Sequence, residues 1–133
     1  MASVTATSLT TGTGNITFDQ SGTQTLGVTL ATTTSGDITI TNVNAALTAT
    51  SVTAGGADGD VILTTTVGGD VLVGSVTGSG ATGSVTVSSA AAIEESGADA
   101  GADVTGITID LNAVTGIGAL ATLEITGSSI LCL

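Results

Sequence analysis

Apolar and polar residues alternate along this chain in short bursts, and the bursts share one phrase. A small residue leads into apolar, polar, apolar in "GNITF" at 14–18, "GDITI" at 36–40, "GDVIL" at 59–63, "GSVTV" at 83–87 and "TGITI" at 105–109. Alternation with period two sends successive side chains to opposite faces, which predicts strands and not helices. The phrases start at Gly14, Gly36, Gly59, Gly83 and Thr105, at steps of 22, 23, 24 and 22 residues. One more step of 23 reaches Ser128, where "SSILCL" supplies Ile130 and Cys132 at the two apolar positions. Two inward columns are therefore expected. The first is Ile16, Ile38, Val61, Val85, Ile107 and Ile130; the second is Phe18, Ile40, Leu63, Val87, Ile109 and Cys132.

A second apolar group follows each phrase about half a period later, at Leu26, Val28 and Leu30, then Leu47, then Val71 and Val73, then Ile93. Corners rich in small residues, such as "TAGGADGD" and "GSGATG", separate the groups. Self-similarity at this period is the signature of a solenoid, in which each repeat is one coil stacked on the next. A lone coil buries too few side chains to offset the entropy of ordering it, so stacking is obligatory. The pattern predicts an all-β, right-handed parallel β-helix (a β-solenoid) with 22–24-residue coils and about six rungs, one segment over residues 1–133. An antiparallel sandwich fits less well, because strand-flanked hairpin dipeptides reduce to Asp58-Gly59.

Composition sharpens this picture. The chain has no Lys, Arg, His, Pro, Trp or Tyr and a single Phe, so any core is aliphatic and thin. Eleven Asp and Glu give a formal charge of −11 with no side-chain cation to offset it. Such a surface repels phosphates and anionic lipid heads, so neither nucleic acid binding nor membrane insertion is expected. Cations are the favoured counter-species. With one cysteine, Cys132, no internal disulfide forms, and its place in an apolar column reads as a small buried hydrophobe. The first residues, "MASVTATSLT", have neither the basic nor the apolar part of a signal peptide, so any export signal is expected outside this chain.

"SGDITI…AALTATSVTAGGADGDVILTT" and "GSVTVSSAAAIEESGADAGADVTGITIDLNA" resemble the repeat region of filamentous haemagglutinin-like and other giant β-strand-repeat adhesins of autotransporter type. The resemblance lies in repeat grammar over most of the chain. It implies a slice of a surface shaft, extracellular or on the bacterial cell surface, whose partner is a surface protein or glycan of a host or neighbouring cell. Unguarded strand edges at both ends of the rod predict end-to-end or lateral self-association, opposed mainly by the −11 charge.

Four groups carry candidate chemistry. "GGADGDVIL" at 55–63 approaches the calcium-binding nonapeptide of RTX solenoids, with Asp58 where that pattern has Gly. Asp37 and Asp60 fall in one column with Asp58 beside them; hard oxygen ligands suit Ca²⁺, but solvated carboxylates at a turn account for the same residues, so no cofactor beyond a weak Ca²⁺ site is expected. The pairs Glu94–Glu95 and Asp58–Asp60 raise glycoside hydrolysis, which needs two carboxylates converging on one groove; neighbours on a strand point apart, which disfavours Glu94–Glu95, and the Arg, Lys or His of polysaccharide lyases is missing, so no enzyme is expected. Outward threonines, Thr17, Thr39, Thr86 and Thr108 with Ile62 among them, raise ice binding. Asn15-Ile16-Thr17 matches a glycosylation sequon, though Ile16 belongs to a core column.

Overall fold

The computed structural model describes residues 2–133, and among them there are strands and no helix. They wind into six coils. The first holds β1 (Ser3–Ala6), β2 (Leu9–Thr13) and β3 (Ile16–Gln20); the second holds β4 (Thr25–Val28), β5 (Ala31–Ser35) and β6 (Ile38–Asn42). The third runs through β7 (Leu47–Ala54) and β8 (Val61–Thr65), the fourth through β9 (Val71–Gly78) and β10 (Ser84–Ser89). β11 (Ala92–Glu95) and β12 (Val104–Ala113) form the fifth, β13 (Gly116–Ile117) and β14 (Ile125–Cys132) the sixth. Long strands such as β7 serve two faces, bonding to β4 with one half and to β5 with the other. All pairings between named strands are parallel, and each joins a strand to the coil above or below it.

Three faces result. On the first, Val4, Leu26, Leu47, Val71, Ile93 and Ile117 stack in register. On the second, Leu9, Ala31, Val52, Val76, Val104 and Ile125 do so. The alternation that the sequence shows is the alternation of burial: β6 and β8 read buried, outward, buried along their length. One continuous core of aliphatic side chains runs down the rod, from Leu26 to Leu111, walled by Thr- and Ser-rich outer positions that suit exposed strands. The corner after the third face is sealed by polar side chains. Asn42, fully buried, donates from Nδ2 to the carbonyls of Ala46 (2.8 Å), Ala45 (3.0 Å) and Gln24 (3.2 Å). Thr65 and Ser89 repeat the device on the next two coils, donating to Gly69 and Ala92 at 2.8 Å each. Gly69 itself has φ +96°, and a Cβ there would lie 2.2 Å from the Ala45 carbonyl carbon, so the corner has room for glycine alone.

The third face corrects the expected register. Ile16, Ile38, Val61 and Val85 stack as expected, and so do Phe18, Ile40, Leu63 and Val87. The next rung is shifted by two residues: Val85 pairs with Ile109 and Val87 with Leu111, and Ile109 and Leu111 pair onward with Ile130 and Cys132. Ile107, expected inside, is 39% exposed. The reason is that "TGITI" straddles a corner. Val104 and Thr105 still belong to the second face, bonded to Val76 and Thr77, and β12 turns at Gly106–Ile107 before it joins β10. Cys132 holds its column on the outermost described rung, where its thiol is exposed and not buried.

Candidate functional site

The coils are nearly equal in length, but their corners are not. From the inward residue of the first face to that of the second, the chain takes five residues in coils one to four (Val4–Leu9, Leu26–Ala31, Leu47–Val52, Val71–Val76). In coil five the same passage, Ile93 to Val104, takes eleven. The six extra residues form an exposed excursion, "GADAGA" at 97–102, anchored by Ser96 donating to the Val73 carbonyl at 2.6 Å. Glu95 and Asp103 stand at its two feet.

Glu95 pairs with Val73, so it occupies the column that holds Val28, Ala49 and Val73 in the coils below. The excursion opens the corner above it, and the carboxylate fills space that an apolar side chain fills elsewhere. Glu95 is 8% and Asp103 1% exposed. Glu124 of coil six sits directly over Asp103: the Asp103 amide donates to the Glu124 carbonyl at 2.8 Å, and the Glu124 amide to Asp103 Oδ2 at 2.9 Å. Oxygens of Glu95, Asp103 and Glu124 all lie within 4.8 Å of one another. Glu95 Oε1 accepts from the Asp99 amide at 2.9 Å, whereas Glu124 Oε2 is buried without a partner. Desolvation raises the pKa of Glu124 above its ordinary value, reinforced by its hydrogen bond to Asp103 and by the charges of Asp103 and Glu95.

Three converging carboxylates in a chain with no Lys, Arg or His have two ways to lose their repulsion: a proton or an outside cation. Up to six carboxylate oxygens in a partly enclosed corner match a hard divalent ion such as Ca²⁺, which takes six to eight oxygen ligands. No motif announces this group. Its members are 8 and 21 residues apart in sequence, and the available signal was an acidic "GADAGAD" interrupting the alternation between Glu95 and Val104.

Of the residues singled out from the sequence, Glu95 belongs to this group, whereas Asp37, Asp58, Asp60 and Glu94 lie elsewhere. Asp37 and Asp60 do stack, at the corner that precedes the third face, as links of a hydrogen-bond column. Asn15 Oδ1 accepts from the Asp37 amide (2.9 Å), Asp37 Oδ1 from the Asp60 amide (3.2 Å), and Asp60 Oδ1 from the Ser84 amide and hydroxyl (2.8 Å each). Asp58 accepts instead from the Thr82 hydroxyl at 2.6 Å. Glu94 pairs with Leu72 on the outward side, opposite in sense to Glu95. Its Oε2 receives the amides of Leu120 and Ala121 at 3.0 Å each, and these backbone donors lower its pKa. That carboxylate clamps the segment that joins β13 to β14 within coil six.

The outward column read as Thr17, Thr39, Ile62, Thr86 continues with Asp110 and not Thr108, by the same two-residue shift. An unbroken threonine column lies on the second face: Thr10, Thr32, Thr53, Thr77, Thr105 and Thr126. Its last three members floor a groove of about 440 Å³ with Ser79, Gly80 and Ile107 beside them. The column is one residue wide; the next outward positions are Gly12, Thr34, Gly55, Ser79, Ile107 and Ser128, which repeat no group. No family model, no curated protein and no solved structure matches the chain.

Proposed function

We propose that this chain is a structural and adhesive rod module of a bacterial surface or secreted protein. The observation that carries the reading is the unbroken parallel ladder through all six coils, which couples every coil to its neighbours and makes a stiff spacer. Extended coils with Thr- and Ser-rich flanks leave long, regular outer faces for contact with a surface protein or glycan. Scattering from tandem copies tests the rod. Each added copy should lengthen the particle by roughly 29 Å, six rungs at about 4.8 Å; a maximum dimension that does not grow with copy number would refute it. Binding to arrays of glycans and matrix proteins tests the adhesive part, and silence on both would leave the rod without adhesion.

A second reading, cation binding, is favoured by the buried, unpartnered Oε2 of Glu124 between Asp103 and Glu95. A divalent ion there would join the feet of the coil-five excursion to coil six. Calorimetric titration with Ca²⁺ tests it, with Glu124→Gln as the variant that should lose binding.

A further inference from the structure

The second face ends in a step. From its inward residue to that of the third face the chain takes nine residues in coils three and four (Val52–Val61, Val76–Val85) and five in coils five and six (Val104–Ile109, Ile125–Ile130). The extra length stands out as a two-layer fin, "AGGADG" at 54–59 beneath "GSGATG" at 78–83. Backbone bonds join the layers: the Ser79 amide donates to the Ala54 carbonyl (3.0 Å), Ala81 to Ala57 (3.0 Å), and Gly59 back to Ser79 (3.1 Å). Coil five turns at Gly106–Ile107 without building a third layer, so the fin stops at coil four. Its upper layer walls the groove of about 440 Å³ that Thr77, Thr105 and Thr126 floor. Coils four and five have neighbours on either side, so the step lies within the rod and not at an end of it.

The groove offers one kind of chemistry. Threonine hydroxyls of three successive coils stand at ladder spacing, about 4.8 Å, with the Ser79 and Ser128 hydroxyls beside them. Among the described residues, the hydroxyls that bond to protein are all others, so these five are free. Gly80, on the wall, has neither its amide nor its carbonyl bonded to backbone. Every lining side chain is uncharged, in a chain of −11, and Ile107, 39% exposed, is the one apolar side chain among them. Asp103 and Glu124 precede the floor by two residues, turned into their own corner, and their field repels an anion. A hydroxyl both donates and accepts, so the floor suits a ligand whose own groups do both. A neutral sugar has such groups, and its C–H face fits an exposed aliphatic side chain. An extended peptide instead needs a straight unpaired edge. The fin gives none, because it doubles back so tightly that a Cβ on Gly83 would strike the Ser79 carbonyl. The volume falls within the roughly 300–1,000 Å³ of small-molecule sites.

We propose that the groove at the foot of the fin binds a short neutral glycan, whose hydroxyls meet Thr77, Thr105 and Thr126 while one ring face lies on Ile107. The proposal rests on the adhesive reading and deepens it, giving the contact one place and one chemistry. With no Trp or Tyr to stack on a sugar, Ile107 carries the apolar contact by itself, so a single site should be weak, with a Kd of about 1 mM.

The test displays the protein, biotinylated at its amino terminus, on streptavidin so that weak sites act together. The probes are arrayed neutral oligosaccharides of glucose, galactose, mannose and N-acetylglucosamine, with sulfated and sialylated glycans and extended peptides beside them. Neutral members should be bound, and salt should not change the signal, since no charge pair forms. Thr105→Val keeps the side-chain shape and removes the middle hydroxyl. It should weaken binding about tenfold, the effect of one hydrogen bond, with circular dichroism unchanged. Ser79→Phe fills the groove from its wall and should abolish binding. Thr53→Val changes the same threonine column one coil below the groove and should leave binding intact. Equal losses from Thr53→Val and Thr105→Val overturn the groove and leave adhesion to the whole face. Capture of sulfated or sialylated glycans alone, or of peptides alone, overturns it in favour of that other partner, with adhesion standing. Silence on every probe overturns it as well, and the adhesive reading then falls only if matrix proteins are also not bound.

Discussion

Leu63 offers the sharpest test of the stacked interior. It is fully buried in coil three, with Ile40 beneath it and Val87 above, and coils lie on both sides. Truncation to alanine removes three carbons from a column whose neighbours are held at ladder spacing and cannot close in. The loss therefore includes both transfer and cavity terms, about 2–5 kcal/mol. Ile130→Ala removes comparable volume from the same face, but Ile130 is 48% exposed and has a neighbour on one side. Roughly half the side chain's burial is at stake there, so about 0.8–1.5 kcal/mol is expected, from about 1.5–3 kcal/mol for full burial. With a urea slope of about 2 kcal/mol/M for a chain of this size, Leu63→Ala should lower the unfolding midpoint by about 1–2.5 M and Ile130→Ala by about 0.4–0.8 M. Urea titrations followed by circular dichroism measure both. Equal shifts from the two variants would mean that interior and terminal rungs are not distinguished by stacking, and the account of the core would fail.

Three further outcomes follow from the same geometry. Deleting Gly59–Thr82 removes one 24-residue coil and brings Val85 over Ile38, so the shortened chain should stay folded and β-rich; deleting Gly59–Asp70 removes half a coil and should unfold or aggregate, and protease resistance ranks the two. In a calcium-free buffer, a raised Glu124 pKa means that the folded state holds its proton more tightly than the unfolded chain. Melting temperature should then rise as pH falls from neutrality toward the ordinary value of 4.5, and fall again below it as Glu94, whose pKa is lowered, loses its clamp on Leu120 and Ala121. A melting temperature that falls steadily from pH 7 would contradict the Glu124 part. Millimolar Ca²⁺ should raise the melting temperature beyond what Na⁺ of equal ionic strength does, and Glu124→Gln should remove that excess while Asp60→Asn leaves it. The reverse pattern would move the ion to Asp37, Asp58 and Asp60.

The β-solenoid was legible in the sequence because both of its periods are local or nearly so. Alternation of two sets which side chains face inward within a strand, and a repeat of 22–24 residues sets which strands stack. Ile16, Ile38, Val61 and Val85 needed no more than that. Composition settled that no side chain of the protein is a cation able to neutralise a carboxylate. What sequence left open is how each coil divides its length among three corners. Coil five uses eleven residues where coil four uses five, then five (Val104 to Ile109) where coil four uses nine (Val76 to Val85), so its total stays near the others while its strands slide. A period counts totals and is blind to that exchange, which is why Ile107 was expected inside and Leu111 was not. The same exchange makes the Glu95, Asp103 and Glu124 cluster. Their side chains meet because a corner opens outward in one coil and the next coil stacks upon its foot, and only the packed coils fix that.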